Sequence, residues 1–366
     1  MLRKLWQLDW VLIVATFLLI GVGLLSLYGI SSTGWQGGGF FIRQAGFALI
    51  GCFGLFLFFF ADYRHIARLS TPLYFVTLGV LLAVLLFGVT VRGTLGWINF
   101  GMFKIQPVEG VKVILVIFLA RFIAKKQTEL GALVRMIASM ILAGAFVLLV
   151  LLQPDLGSAL VLIGIWIGMI LVAGLRFTHI LLLVALGVAV ATTSWLFLQP
   201  YQKDRIVNVF TPKADSRGSG YNVLQATVSI GSGGLTGKGI GHGSQAQLNF
   251  LPEKHTDFIF STISEELGLL GAGFVILVYG VLLFRIWHIG MGARDNFGYL
   301  ACAGVMIFLL IQITVNIGMN AGVLPVTGIP LPLISYGGSS LVATMCALGL
   351  ILNIGQKSRE ASISGL

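Results

Sequence analysis

Long apolar runs alternate along this chain with short polar punctuation. Runs bounded by charge, Gly or Pro fall near 10–30, 43–60, 71–90, 108–123, 133–152, 156–174, 178–198, 258–285, 299–322 and 331–354. A helix needs about 20 mostly apolar residues to cross a hydrocarbon core of roughly 30 Å. The pattern therefore predicts an all-α polytopic membrane protein with about ten transmembrane helices, a single domain over 1–366. One stretch breaks the alternation, 199–257 between the seventh and eighth runs, far longer than an ordinary connection. It carries Tyr201, Ile206, Phe210, Tyr221, Leu224 and Phe250, so it reads as one large structured extracytoplasmic loop and not as a disordered linker.

Composition agrees and excludes alternatives. The chain is 57% hydrophobic and 10% charged, where a soluble domain carries about 25% charged residues. A soluble enzyme, a coiled coil and a disordered scaffold are excluded. The net charge of +10 does not point to nucleic acid, because no Lys/Arg run is interleaved with aromatics. The basic residues instead sort by side. With the N-terminus inside, the inner short segments hold Arg3, Lys4, Arg64, Arg68, Arg121, Lys125, Lys126, Arg135, Arg176, Arg285, Arg294, Lys357 and Arg359; the outer ones hold Arg43, Arg92 and Lys104. The positive-inside rule then places both termini in the cytoplasm. Arg3 and Lys4 precede an apolar stretch from Trp10 to Tyr28 that is too long for a signal peptide and has no A-x-A site, so an uncleaved first helix is expected. Cys52, Cys302 and Cys346 lie inside apolar runs and read as small buried hydrophobes, with no disulfide framework or Cys/His metal spacing. No long internal repeat is visible, which weakens an inverted-repeat transporter.

Five features carry candidate chemistry. Gly231 to Gly243 is glycine-dense around Lys238, yet Ser232 stands where a P-loop needs its first Gly, and Gly239 where it needs Ser/Thr. What remains is a tight turn or a loop whose amides and Lys238 contact a diphosphate. Asp257 lies where the long loop meets the eighth run, beside Glu253, Lys254 and His255, with Glu265 and Glu266 about 12 Å deeper. It reads as a helix cap or, at a partly dehydrated rim, as a general base. Glu109 and Lys112 are spaced to pair on one helix face inside the fourth run, as a structural ion pair or a functional one. Asp155 follows Gln153-Pro154 where an acid suits a helix N-terminus. Gln312, Asn316 and Asn320 recur every fourth residue as a polar stripe, and Pro325, Pro330 and Pro332 interrupt the start of the last run, which indicates an outward cavity. From these residues alone, transport and lipid-linked chemistry are equally supported.

The same residues resemble a known family. Gln247 to Phe260 followed by Glu265-Glu-Leu-Gly268, Gln153-Pro-Asp-Leu-Gly-Ser158, Gly220-Tyr-Asn222 with Gly231-Ser-Gly-Gly234, and Val326 to Pro332 with Ile334-Ser-Tyr-Gly-Gly-Ser339 resemble the signatures of the SEDS family (shape, elongation, division and sporulation). Tyr201-Gln-Lys-Asp-Arg205, Gln245 to Phe250 and Val315-Asn-Ile-Gly318 are more similar to its elongation branch than to its division branch. The resemblance implies a peptidoglycan glycosyltransferase of the bacterial inner membrane that polymerises lipid II. It implies a class B penicillin-binding protein and other elongation-complex proteins as partners, with membrane lipid around the chain and no nucleic acid. Asp257 occupies the position of the family's essential outer-loop aspartate and would act as general base. Positive charge for the departing diphosphate would come from Lys112, Arg92, Lys238, Arg205 or a divalent cation such as Mg2+ or Mn2+. Trp97, Glu109, Asp155 and His255 join these as substrate-binding candidates. Two departures stand out: Gly93-Thr-Leu-Gly-Trp97 keeps Trp97 but has Gly96 where the family pattern has Arg, and Gln106-Pro-Val-Glu109 has Val108 for the common Ser.

Overall fold

The computed structural model of the chain describes residues 8–32, 39–91, 93–101, 103–126, 131–174, 219–247, 251 and 253–364, with isolated positions between 181 and 193. In chain order its elements are α1 (Trp10–Ser32), α2 (Gly39–Phe60), α3 (Tyr63–Phe87), β1 (Val89–Val91), β2 (Thr94–Asn99), β3 (Lys104–Ile105), α4 (Pro107–Lys126), α5 (Ala132–Leu152), α6 (Leu156–Val172), α7 (Ser219–Ser232), α8 (Ser244–Gln247), α9 (Ile259–Met291), α10 (Asn296–Asn320) and α11 (Gly338–Ser364). Nine of the ten predicted spans coincide with long helices. The seventh, 178–198, falls outside the described residues apart from a few positions, as does 199–218 of the long loop.

Seven of these helices are long and apolar enough to cross a membrane unaided. The two others differ for physical reasons. Helix α6 is apolar but only 17 residues long. Helix α4 carries Glu109, Lys112, Arg121, Lys125 and Lys126; Glu109 and Lys112 are buried as a pair inside the bundle, and Lys125 is exposed near the helix end. The helix packs against α3, α5, α6, α10 and α11, with Val111, Leu115, Val116, Leu119 and Ala120 fully buried. A helix screened from lipid by its neighbours need not be apolar all round.

The all-α architecture holds, with two refinements. A small three-stranded antiparallel sheet, β1-β2-β3, joins α3 to α4, with Val89 opposite Trp97 and Asn99 opposite Lys104. The sheet is tied to the α5–α6 corner where the Leu95 amide donates to the Gln153 carbonyl (3.1 Å). The last helix begins at Gly338, seven residues later than the apolar run suggests, because Pro330, Pro332 and the positive φ of Leu333 keep 321–337 irregular.

Small residues let the helices close up, as membrane packing favours. A Cβ at Gly349 of α11 would lie 2.3 Å from the Leu55 carbonyl oxygen of α2, and one at Gly23 of α1 would lie 2.5 Å from that of Ile334. At one end of the bundle Asp9 gathers three helices. Its carboxylate accepts from Arg285 on α9 and from Arg359 on α11 (3.0 Å) and caps the Leu12 amide of α1 (3.1 Å). The N-terminal and C-terminal helices therefore start and finish on the same face.

Candidate active site

Three polar clusters sit at or below the end of the bundle opposite Asp9. The first surrounds Asp257. Residues 253–258 form turns before α9, and Asp257 is half-buried there. Its backbone is held from α10: Asn316 Nδ2 and Asn320 Nδ2 both donate to the Asp257 carbonyl, at 3.0 and 2.9 Å. Both amides are themselves fixed. Asn316 also donates to the Ile329 carbonyl (2.8 Å), and Asn320 Oδ1 accepts from the Ser261 amide (3.1 Å) and hydroxyl (2.6 Å). The Ser261 amide belongs to the first turn of α9, whose N–H groups have no intrahelical acceptor, so Asn320 caps that helix from outside. Seen from the sequence, the 312/316/320 stripe is a generic interhelical glue; in the structure two of its members fix the candidate base.

The segment 321–337 closes over the other side. Gly328, at φ +72°, brings its backbone alongside the carboxylate; a Cβ there would sit 3.7 Å from Asp257 Oδ2. Ser335 donates to the Thr256 carbonyl (2.6 Å), and the Tyr336 amide donates to the His255 carbonyl (2.9 Å). Gln44 of α2 in turn donates to the Ser335 carbonyl (3.0 Å). His255 stacks on Phe40 with ring centroids 4.3 Å apart, and its Nε2 lies 3.9 Å from Glu253 Oε2. Burial pulls the Lys254 ammonium below the ordinary lysine value, with the Glu266 carboxylate acting in the opposite direction.

The second cluster explains the glycine-dense run. Helix α9 is broken at Gly268 (φ +68°, ψ −165°), a conformation open essentially only to glycine. The run 231–243 repairs the break: the Lys238 and Gly239 amides donate to the Glu265 and Glu266 carbonyls (3.0 and 2.9 Å), and the Leu269 amide donates to the Gly234 carbonyl (2.9 Å). Lys238 Nζ donates to Glu265 Oε1 (2.8 Å), Ser232 (2.9 Å) and Ser244 (3.0 Å). Three donors are all an ammonium has. Glu266 accepts from the Gly241 amide (3.0 Å) and Ser26 (3.3 Å). The Lys238, Gly239 and Gly241 amides and the Lys238 ammonium are thus engaged within the fold.

The third cluster lies under the sheet. Glu109 and Lys112 pair at 2.7 Å, both buried, and Glu109 Oε2 has no partner among the described residues. Asp155 caps α6 through the Ser158 amide (2.9 Å) and accepts from Gln106 (3.3 Å), whose own amide donates to Ser339 (2.9 Å). Gly157, in the first turn of α6, abuts Thr327, beside Gly328. A chain of contacts therefore runs from Asp155 to Asp257. Trp97 is half-buried on β2; at Gly96 a Cβ would meet only Gln153, at 3.7 Å. Arg92 and Arg205 lie outside the described residues. Among the described residues no group of three or more His, Cys, Asp or Glu is arranged to hold a metal ion.

An apolar cavity of about 520 Å3 separates α2, α3, α4 and α11, lined by Phe47, Ile50, Val80, Val111 and Ile114, with Lys104 and Gln106 also contributing to its wall.

Comparison with known proteins agrees with this architecture. The FtsW/RodA/SpoVE family profile, described as a cell cycle protein, matches residues 8–360. The chain is 38% identical to stage V sporulation protein E of Bacillus subtilis over 96% of its length and 98% of the relative's. It is 38% identical to peptidoglycan glycosyltransferase MrdB of Escherichia coli over 77% of this chain and 76% of the other. A chain of a solved peptidoglycan synthase complex, described as coordinating polymerization and crosslinking, superposes with a TM-score of 0.83 at 32% identity, covering 96% of this chain and 98% of that one. The rod shape determining protein RodA of Thermus thermophilus does so with a TM-score of 0.72 at 30% identity, covering 96% and 97%. On sequence over nearly its whole length and on fold, this chain belongs to the SEDS family, the FtsW/RodA/SpoVE cell cycle proteins.

Proposed function

We infer that the chain is a peptidoglycan glycosyltransferase of the elongation (RodA) type, working in the bacterial inner membrane on lipid II. The activity class rests on family membership and on relatives that carry that name over three-quarters or more of both chains. The elongation assignment rests on the motifs at Tyr201–Arg205, Gln245–Phe250 and Val315–Gly318.

The observation that carries the mechanism is the double amide clamp on the Asp257 carbonyl. It fixes the backbone of an acid at the rim of the bundle while the side chain faces the irregular 321–337 segment. In the reaction, the 4-hydroxyl oxygen of the acceptor sugar attacks the anomeric carbon of the donor. The bond from that carbon to the diphosphate oxygen breaks, and the hydroxyl proton passes to the Asp257 carboxylate. The α-linked diphosphate becomes a β-1,4 linkage, so a single inverting displacement suffices and one base is needed. The products are a lengthened glycan and a polyprenyl diphosphate.

Charge for the leaving diphosphate is the remaining requirement. Lys238 has its donors occupied, and Lys112 is buried against Glu109. Arg92 and Arg205 are the cations to test first; a divalent cation would be liganded by the diphosphate's own oxygens. The apolar cavity between α2, α3, α4 and α11 suits the polyprenyl chain. Likeness to a chain of a peptidoglycan synthase complex supports a crosslinking partner of the class B penicillin-binding type.

Purified chain given labelled lipid II, divalent cation and the partner should form glycan polymer, and Asp257→Ala should form none. Movement of unmodified lipid II between leaflets without polymer would mark a transporter instead and sink the enzymatic reading.

A further inference from the structure

A small cavity of about 110 Å3 opens between α3 and α4 at the Asp9 end of the bundle, far in sequence from the Asp257 site. It is lined by Ser70, Thr71, Phe118, Arg121, Phe122 and Lys125. Among the described residues, two cations and two hydroxyls line it and no Asp or Glu does. Ser70 is fully buried, and its Oγ has no hydrogen-bond partner among the described residues. That is unusual for a hydroxyl inside a helix, which can ordinarily bond back to the carbonyl one turn earlier, as Thr77 does to Leu73 in the same helix (2.8 Å). An unpartnered buried hydroxyl is destabilising, so something outside the chain is expected to satisfy it.

Local geometry holds the cavity open. Pro72 sits inside α3, and with no N–H it leaves the Arg68 carbonyl without its helical donor and loosens that turn. Arg121 reaches across from α4 and donates to the Ala67 carbonyl, using one of its five N–H donors. Lys125 stands one turn further along α4 at the exposed edge. Ser70 lies seven residues into α3, roughly 10 Å from its start. Headgroups and the acyl boundary occupy about that depth at a membrane surface, and the neighbouring Arg64 and Arg68 are exposed on the same turns of α3.

We propose that this cavity binds the phosphodiester of an anionic phospholipid. Arg121 and Lys125 meet the phosphate charge, Ser70 donates its unused hydroxyl to a phosphate oxygen, and Phe118 and Phe122 flank the glycerol. The site is of the kind expected of basic pockets between helices on the cytoplasmic side. Inorganic phosphate has the same recognition chemistry, so the test separates the two sources.

The full chain, purified in detergent and stripped of lipid, is offered phosphatidylglycerol, phosphatidylcholine or inorganic phosphate, and binding is read by native mass spectrometry and thermal stability. Phosphatidylglycerol should bind as a discrete adduct that raises the melting temperature, with phosphatidylcholine at least about tenfold weaker. Lys125→Gln and Ser70→Ala should each weaken the adduct about tenfold or more. Ser70→Ala should not lower the melting temperature of the lipid-free protein, because it removes an unsatisfied polar atom. Equal phosphatidylglycerol binding by wild type and both variants overturns the proposal, as does equal binding of phosphatidylcholine. Protection by inorganic phosphate with no phosphatidylglycerol adduct overturns the lipid assignment.

Discussion

Asn320 offers the sharpest test of how Asp257 is held. Its side chain donates to the Asp257 and Asn316 carbonyls (2.9 and 2.8 Å) and accepts from the Ser261 amide and hydroxyl. Asn320→Ala strands the Ser261 pair in a buried site, at about 1–3 kcal/mol for each group left unsatisfied. The Asp257 carbonyl keeps Asn316, so the first loss is partly cushioned. If only about 1.4–2.7 kcal/mol of the cost appears as displacement of the carboxylate, polymerisation slows about 10- to 100-fold. The expected result with labelled lipid II is that loss in kcat, with KM changed less than about threefold. Asn320→Asp keeps an acceptor for Ser261 but loses the donor to Asp257, so it should lose rate as well. Adding Asn316→Ala removes the second donor, and the two losses should couple by about 1–3 kcal/mol beyond additivity. A lowered melting temperature with wild-type kcat in Asn320→Ala would refute the positioning role and leave Asn320 as packing alone.

Three further outcomes follow from the same contacts. Gly268→Ala should lower stability in detergent by more than about 1–3 kcal/mol, since its backbone conformation is glycine-only and a Cβ would lie 2.4 Å from the Gly237 nitrogen; a neutral effect on melting would contradict the loop-repaired break. Lys238→Met removes a cation from the buried Glu265 carboxylate, which keeps its Ser244 and Gln245 donors, and should cost about 1–3 kcal/mol, while the double variant with Glu265→Gln should recover most of it; failure of the double variant to recover would indicate a different role for the lysine. Burial pushes the Asp9 carboxyl up, but Arg285, the Leu12 amide and Arg359 outweigh it and hold it below its ordinary value of 3.8. Its contribution is therefore complete above about pH 4 and lost as pH falls through the lowered value. Asp9→Asn should destabilise the chain at neutral pH and flatten the acid limb of the melting profile, and an unchanged acid limb would count against the clasp.

Much of the fold is legible in the chain because a span is a matter of length and apolarity. The runs at 10–30, 133–152 and 299–322 become α1, α5 and α10 within a few residues. Legibility fails where structure depends on distant partners. Strands of three and two residues are too short for alternation to show, and the six residues of β2 are mostly half-buried on both faces and do not alternate. A glycine inside an apolar helical run, such as Gly268, signals a break only once the run 231–243 is seen repairing it. That run looks like an anion loop locally, yet its Lys238 and Gly239 amides donate to the carbonyls of Glu265 and Glu266 on another element. The site is legible in the same partial way. Asp257 and the Glu109–Lys112 pair are visible from spacing and apolar context. The clamp from Asn316 and Asn320, the approach of Gly328, and the stacking of Phe40 on His255 are tertiary facts.

The central claim is that Asp257 removes the acceptor proton, and the pair Asp257→Asn and Asp257→Glu tests it most directly. Asparagine preserves size and the clamped backbone but cannot take a proton at neutral pH; glutamate keeps the base and moves it by one methylene. Single-turnover polymerisation of labelled lipid II by purified, folded variants should show no product for asparagine and partial product for glutamate, with lipid II binding retained by both. Polymerisation by Asp257→Asn at close to the wild-type rate would contradict the account.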